Sequence, residues 1–232
     1  MKKTALLLGI AAGIFLSACA LQQPILKSVA YKGMYDEKPV AILLMPPINR
    51  STEVEAKEYF HSTLLVPIAN AGYYVVPPFL SMEILKRESA YDAELFLNTP
   101  LNKFGEVFGA DLALFTVIHK WDKSKLAAKV YVEIEYIFKS VKTNEIVYSR
   151  KGNVTYDASV NTGVGGGIGL LANVVASAIN TALTQYVDVA RSCNAYTFKD
   201  LPAGVYSPVY NLDGSEVAGK KDFSVTLNSN YH

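Results

Sequence analysis

Two closely spaced carboxylates are the residues that most suggest catalysis. Glu133 and Glu135 lie two positions apart, so on a strand both would point to one face of the sheet. Carboxylates in different environments can divide the roles of general acid and general base, but a solvated strand face explains the pair more simply. The Gly-x-Ser-x-Gly and His-Glu-x-x-His patterns are absent, and the histidines are scattered at His61, His119 and His232. We therefore predict a protein without enzymatic activity and keep a hydrolase as the alternative.

Five glycines between positions 163 and 169 are a second candidate site, because glycines that open a helix allow backbone amides to bind phosphate. A phosphate loop needs Lys and then Ser or Thr, and no lysine follows here. A dinucleotide site needs an acidic residue after the next strand, but the next segment has a helical pattern. We predict no nucleotide and no other cofactor. The glycines favour flexible linkage or close packing; the alternative is that small residues such as Gly165 and Gly169 let another helix or a lipid surface come close.

Covalent lipidation is the chemistry predicted near the N-terminus. Residues 1–18 have the basic start, apolar middle and small-residue end of a secretory signal peptide. It ends in Leu16, Ser17 and Ala18 before Cys19, and this pattern is similar to the bacterial lipobox. In that motif the cysteine is diacylated, the chain is cut before it, and the new amine is acylated. Three acyl chains anchor a protein stably without a spanning helix. The alternative is a plain secreted protein with a chance cysteine.

The residue after the cysteine indicates an address. Ala20 is typical of lipoproteins sent to the outer membrane, whereas Asp at this position is the usual signal for inner-membrane retention. We therefore expect the outer membrane, on its periplasmic face, and keep its outer face as the alternative. Cys193 would then be a lone thiol in an oxidising compartment. We interpret it as a buried small apolar side chain and keep an intermolecular disulfide as the alternative.

The composition favours a folded protein. The 232 residues include 22 Lys+Arg, 21 Asp+Glu and 50% hydrophobic residues, which argues against both nucleic-acid binding and disorder. Two cysteines and three histidines in the whole chain make a zinc site improbable by number alone. Tyrosine is frequent, with 15 residues, and six of them are predicted to lie on solvated strand faces or in loops: Tyr31, Tyr35, Tyr91, Tyr131, Tyr206 and Tyr210. Such side chains favour a protein interface, although packing under loops explains them equally well.

Apolar runs and turn residues predict a mixed α and β domain over residues 39–212. Val40 to Met45 is a continuous apolar run closed by two prolines, as in a strand buried on both faces. A helical pattern then leads to a second run at Tyr73 to Val76, which completes a βαβ unit. Three further strands are predicted to form an antiparallel meander, giving a mixed five-stranded sheet flanked by helices; they cover residues 111–121, 130–138 and 145–156.

The two ends of the chain show no sustained period. Residues 19–38 are predicted to be a lipidated tether that lifts the domain off the membrane. Residues 213–232 are predicted to be a C-terminal tail that starts at an Asp-Gly turn of a hairpin and ends frayed. Between the glycines and this tail, an apolar stripe predicts a helix from about Leu170 to Ala190.

The motifs together resemble a family of bacterial lipoproteins of unknown function, whose domain is similar to the amino-terminal domain of TolB. More distant similarity is to the curli-secretion channel lipoprotein and to the lipoprotein activator of a penicillin-binding protein. The resemblance rests on the lipobox, the glycine-rich helix and the segments Val40 to Pro47, Ala71 to Pro78 and Phe108 to Asp111.

This resemblance implies a small α/β domain that makes protein contacts in the cell envelope and has no catalytic residues. The chain lacks the long alternating hairpins needed to build a membrane barrel, so the channel function is not expected. We expect a non-enzymatic assembly or docking component of an envelope complex. Its partners would be the membrane, through the lipid anchor, and other envelope lipoproteins or secretion components, with a homodimer also open. The alternatives are an activator of a peptidoglycan synthase and a periplasmic hydrolase.

Overall fold

The computed structural model describes residues 24–124, 126, 128–159, 173 and 186–228. These residues form a sheet with helices packed on its faces. The strands are β1 (Ala41–Leu44), β2 (Ile48–Asn49), β3 (Tyr74–Val75), β4 (Leu112–Ser124), β5 (Lys129–Ser140), β6 (Ile146–Asp157) and β7 (Asp222–Asn228). The helices are α1 (Lys27–Ala30), α2 (Lys32–Glu37), α3 (Ala56–Thr63), α4 (Leu65–Asn70), α5 (Pro78–Arg87), α6 (Asn102–Phe108) and α7 (Tyr186–Phe198), with short 3-10 turns at Ala93–Phe96 and Asp213–Ser215.

The centre of the sheet is parallel, and the predicted βαβ unit is confirmed. All four side chains of β1 are buried, as expected for a strand covered on both faces. β1 pairs in parallel with β3 on one side and with β4 on the other. Asp111, just before β4, fixes the start of β1 because its carboxylate accepts hydrogen bonds from the backbone amides of Val40 and Ala41, at 2.8 and 2.9 Å.

The predicted meander is also confirmed, since β4, β5 and β6 pair antiparallel in sequence. β5 alternates between buried and more accessible side chains along much of its length. Its buried set packs in the core with α3 and α7, whose Phe60, Val189 and Cys193 are fully buried. A register shift between Ile118 and Lys120 interrupts the pairing with β4, so that Lys120 lies opposite Glu133 and Trp121, instead of Lys120, joins Ile118 in the core.

The sheet has seven strands rather than the predicted five. Its order is β3-β1-β4-β5-β6-β7, and the two-residue β2 pairs with β4. The prediction that residues 213–232 form a tail was wrong for its described part, because β7 pairs in parallel with β6 and buries Phe223 and Leu227. Residues 213–215 form a 3-10 turn instead of the turn of a hairpin.

The predicted tether at residues 19–38 was wrong for the part that the structure describes. Residues 27–37 form α1 and α2, and Tyr31 and Met34 are buried in the core. The Tyr31 ring lies 4.8 Å from that of Tyr148 on β6, measured between centroids. Burial of these two side chains stabilises the segment on the domain, although its sequence shows no clear periodic pattern.

The predicted helix from Leu170 to Ala190 falls mostly outside the described residues, as do Gly165 and Gly169. The described helix α7 continues past Ala190 to Phe198. None of the helices within the described ranges is long and apolar enough to cross a membrane.

Candidate functional site

The first described residues of the chain are held to the domain by backbone pairing. The Lys27 amide donates to the Glu216 carbonyl at 2.8 Å, and the Ala218 amide donates to the Ile25 carbonyl at 2.8 Å. Leu26 and Val217 form an antiparallel bridge between these two hydrogen bonds. We call residues 25–27 and 216–218 the N-terminal clamp. It fixes the first described residues, which follow Cys19 by only a few positions in the sequence, to the domain.

A buried ion pair supports the clamp. The Lys27 ammonium lies 3.5 Å from the Asp213 carboxylate and 2.8 Å from that of Glu216, and the side chains of Lys27 and Asp213 are only 8% and 3% exposed. Asp213 also accepts hydrogen bonds from the Tyr35 hydroxyl at 3.0 Å and the Ala203 amide at 2.9 Å. Burial and the Asp213 carboxylate together raise the pKa of Tyr35 above its ordinary range, so this phenol stays a donor. Sequence reasoning missed this site.

A second polar network holds α1 and α2 against the rest of the fold. The Arg150 guanidinium on β6 donates to the Thr197 carbonyl in the last turn of α7 at 2.9 Å, where a cation complements the helix dipole. Asp200, 3.9 Å from Arg150, accepts from the Gly219 amide at 2.8 Å and from the Tyr31 hydroxyl. These bonds link β6, the last strand of the meander, to Tyr31 near the start of the described chain and to Gly219 near its end.

A groove of about 890 Å³ opens beside the clamp, between α4, α7 and the segment 199–216. Lys27, Asp213 and Glu216 contribute to its wall at the clamp side. The helices α4 and α7 contribute much of the remaining wall. Its other lining residues include Val66, Pro67, Ala71, Ala195, Phe198, Leu201 and Val209.

The loop on one side of this groove is fixed by a close backbone approach. A side chain at Gly204 would place its Cβ 2.3 Å from the Gly72 carbonyl oxygen, and Gly72 itself has a φ of +95°. The Tyr206 amide donates to the Gly72 carbonyl at 3.0 Å, and the Tyr73 hydroxyl donates to the Pro202 carbonyl at 2.7 Å. Glycine is needed at both positions, because one requires the close contact and the other the left-handed conformation.

The structure places the predicted interface tyrosines on two different surfaces. Tyr206 is 69% exposed and lies with the half-buried Tyr210 on the loop beside the groove. Tyr131 lies on β5 opposite Asp122 and Thr155, near the β4–β5 hairpin. Nine residues of strand, about 30 Å, separate it from the end of β5, which lies beside the start of β4. Tyr206 lies near that end, because its amide bonds to Gly72 just before β3, and β3 pairs with β1 beside the start of β4. The predicted tyrosines therefore do not form one interface.

The outer face of the meander carries the two glutamates considered for catalysis, each in its own ion pair. The Glu135 carboxylate lies 2.9 Å from His119 Nε2, and the Glu133 carboxylate lies 2.6 Å from the Lys151 ammonium. The hydrogen bond from Lys151 lowers the pKa of Glu133. A general acid needs the opposite shift, so this pair matches a solvated, charged strand face.

The two described histidines lie on opposite faces of the sheet. His61 is on α3, and its ring interacts with the backbone of Leu44 on β1, while its Nε2 atom is buried without a hydrogen-bond partner. Burial lowers the pKa of His61. His119 faces outward beside Glu135. In the described part of the chain, no group of three or more His, Cys, Asp or Glu residues is placed to hold a metal ion.

Cys193 is fully buried on α7 with a free thiol. Burial raises the pKa of this thiol well above its ordinary range, so it stays protonated and shielded. This agrees with the small apolar role predicted for it. The lipobox residues Leu16, Ser17, Ala18 and Cys19 lie outside the described residues, and lipidation of Cys19 remains a prediction.

The protein is thus an α/β domain whose first described segment is clamped beside a groove. Comparison with known proteins places it among lipoproteins. A family model described as "Putative lipoprotein GNA1162-like" matches residues 29–204. This match spans well over half of the chain, so the protein belongs to the GNA1162-like lipoprotein family. The resemblance to bacterial lipoproteins inferred from the sequence is thereby confirmed.

Three known proteins illustrate what this chain is similar to. The "Putative lipoprotein NMB1124/NMB1162" of Neisseria meningitidis serogroup B is 27% identical over 186 residues, covering 79% of this chain and 83% of that protein. The crystal structure of lipoprotein GNA1162 from Neisseria meningitidis has 21% identity and a TM-score of 0.47, covering 63% of this chain and 100% of that one. The C-terminal domain of LpoB from Salmonella enterica has 17% identity and a TM-score of 0.39, covering 55% and 93%.

Proposed function

We propose that this protein is a non-enzymatic lipoprotein of the outer membrane, anchored through Cys19 on the periplasmic face, whose domain docks other components of an envelope complex. The N-terminal clamp is the observation that carries the proposal. A lipid on Cys19 can hold a domain in a defined position only if the chain after it is fixed to the domain. The bonds from Ile25 and Lys27 to residues 216–218 provide that fixation.

The outer face of the meander is the surface proposed for the protein partner. It presents Tyr131, 37% exposed, beside alternating charges from Lys120, Asp122, Glu133 and Lys151. A tyrosine supplies both apolar contact area and a hydroxyl, while charged neighbours give orientation and specificity. The described helices leave this end of the face accessible, as the exposed Tyr131 and Asn153 show.

Photo-crosslinking in the intact envelope tests this proposal. A photoreactive amino acid replaces Tyr131 in the full chain, and a matched control carries it at Glu106, which is exposed on α6. We expect adducts with a defined set of envelope proteins from position 131 and a much lower yield from position 106. A synthase of peptidoglycan among the adducts would specify the activator form of this role. Absence of protein adducts from position 131 would contradict docking through this face.

A further inference from the structure

Exposed apolar side chains concentrate around the groove beside the clamp. Half of the large hydrophobic side chains that are exposed in the described residues lie on the segments 25–29, 62–71 and 203–217, which form or adjoin its walls. Extended apolar surface on a folded protein marks a site that contacts a membrane or another protein. These side chains are Ile25, Leu26, Val29, Leu65, Val66, Val205, Tyr206, Val209, Leu212 and Val217.

Most charges at the centre of this surface are paired within the domain; Lys27 with its two carboxylates leaves one net negative charge, and the exposed Lys199 adds a positive charge to the same groove. The Lys27 ammonium is held by Asp213 and Glu216, and Arg191, at the groove wall, pairs with Asp188 at 2.6 Å. A lipid surface could therefore approach the apolar side chains without leaving the buried Lys27 and Asp213 unpaired, which would otherwise be costly.

The position of Cys19 in the chain indicates what covers this surface. Six residue steps separate Cys19 from Ile25, where the clamp begins, and an extended chain spans at most about 3.6 Å per step. The lipid attachment point therefore lies within about 22 Å of Ile25. A folded domain of this size has a radius of gyration of about 16 Å and is about 40 Å across. The clamp side must then stay next to the bilayer, and the opposite side cannot reach it.

We infer that the apolar surface around the groove rests on the headgroup region of the membrane that holds the lipid anchor. This inference rests on the proposed lipidation of Cys19 and adds an orientation to it. The clamp and the apolar surface lie on one side of the domain, and the clamp begins six residues after Cys19 in the sequence. Val209, Leu212 and Val217 would enter the interface. Tyr131, near the β4–β5 hairpin and away from the groove, would stay accessible to a protein partner.

The test uses the full chain, processed and lipidated in cells, and reconstituted into vesicles of phosphatidylethanolamine and phosphatidylglycerol that contain a quencher-labelled lipid. Single cysteines introduced at Val209 or Leu212 carry an environment-sensitive fluorophore. The native Cys193 is fully buried and does not compete for labelling. The control position is Leu95, which has a comparable exposure of 63%. It lies in the Ala93–Phe96 turn, whose Ala93 packs on the opposite face of the sheet from α4 and α7.

We expect the labels at 209 and 212 to lose most of their emission in quencher vesicles and to shift to shorter wavelength, while the label at 95 changes little. Equal quenching at all three positions, or none at 209 and 212, overturns the inference. Energy transfer between labels at 209 on separate copies, without quenching by lipid, would assign the surface to a second copy and likewise overturn it. The proposed anchoring fails separately, because an unlipidated protein would not float with the vesicles at all.

Discussion

At the scale of single residues, Lys27 and Asp213 show how the clamp is stabilised. Both charges are buried, so each depends on the other and on the hydrogen bonds from Tyr35 and the Ala203 amide. A buried ion pair contributes little compared with an apolar pair, but removal of one partner leaves an unpaired buried charge. The pair therefore disfavours any arrangement of residues 25–27 that separates Lys27 from Asp213.

We predict that Asp213→Ala lowers the free energy of unfolding by about 3 kcal/mol, since Lys27 then keeps only the exposed Glu216 as a partner. Urea denaturation followed by circular dichroism measures the change. Asp36→Ala is the control, because the Lys32–Asp36 pair is exposed on both sides and should contribute little. Equal effects of the two variants would contradict the structural role of Asp213.

His61 makes the stability depend on pH. Burial lowers its pKa below the ordinary value of 6.5, and Nε2 has no partner for a proton. The unfolded chain therefore binds a proton that the folded chain excludes as the pH falls below 6.5, so the folded state loses stability on acidification.

We expect His61→Asn, which retains a donor for the Leu44 backbone, to reduce the loss of stability between pH 7 and pH 5. Denaturation midpoints measured across this range, for wild type and variant, give the comparison. A wild-type profile that is flat, or that is unchanged by the substitution, would show that His61 is protonated equally in both states.

At the scale of elements, the sequence was most informative where a segment is buried on both faces or alternates regularly. β1, β4 and β5 have such patterns, so the βαβ unit and the meander could be predicted. α1, α2 and β7 could not, because their stability comes from partners far away in sequence. Glu216, for example, lies 189 positions from its partner Lys27, and no local pattern marks such a pair.

β7 offers a direct test at this scale. Phe223 packs against Gly152, beneath the Arg150 guanidinium and 5.1 Å from the ring of Tyr196. We predict that Phe223→Ala costs about 3–5 kcal/mol, because it leaves a cavity at the edge of the core. Ser224→Ala, on the exposed side of the same strand, should change the stability by less than about 0.5 kcal/mol. If both substitutions were neutral, residues 222–228 would be a tail after all.

The candidate site also has features that the sequence predicts and features that it does not. The lipobox and the exposure of Tyr206 and Tyr131 were accessible from residue types alone. The clamp and the groove were not, since Asp213 was assigned to a turn and Lys27 to a tether. Only the folded chain brings them together, through pairing of residues 25–27 with residues 216–218.

At the scale of the whole molecule, the lipid anchor expected of the family determines how the domain is oriented on the membrane. The chain belongs to the GNA1162-like lipoproteins, and its N-terminal segment is held beside an apolar groove. In the proposed arrangement the groove side faces the membrane and the outer face of the meander faces the partner. Both assignments depend on a lipid at Cys19, six residues before the clamp.

The most direct test is therefore mass spectrometry of the N-terminal peptide of the full-length protein extracted from the envelope. The account predicts a chain that begins at Cys19 and carries three acyl chains, and a Cys19→Ser variant that is neither processed at this position nor retained in the membrane fraction. An unacylated mature N-terminus, or a Cys19→Ser variant that is processed and membrane-bound like the wild type, would contradict it.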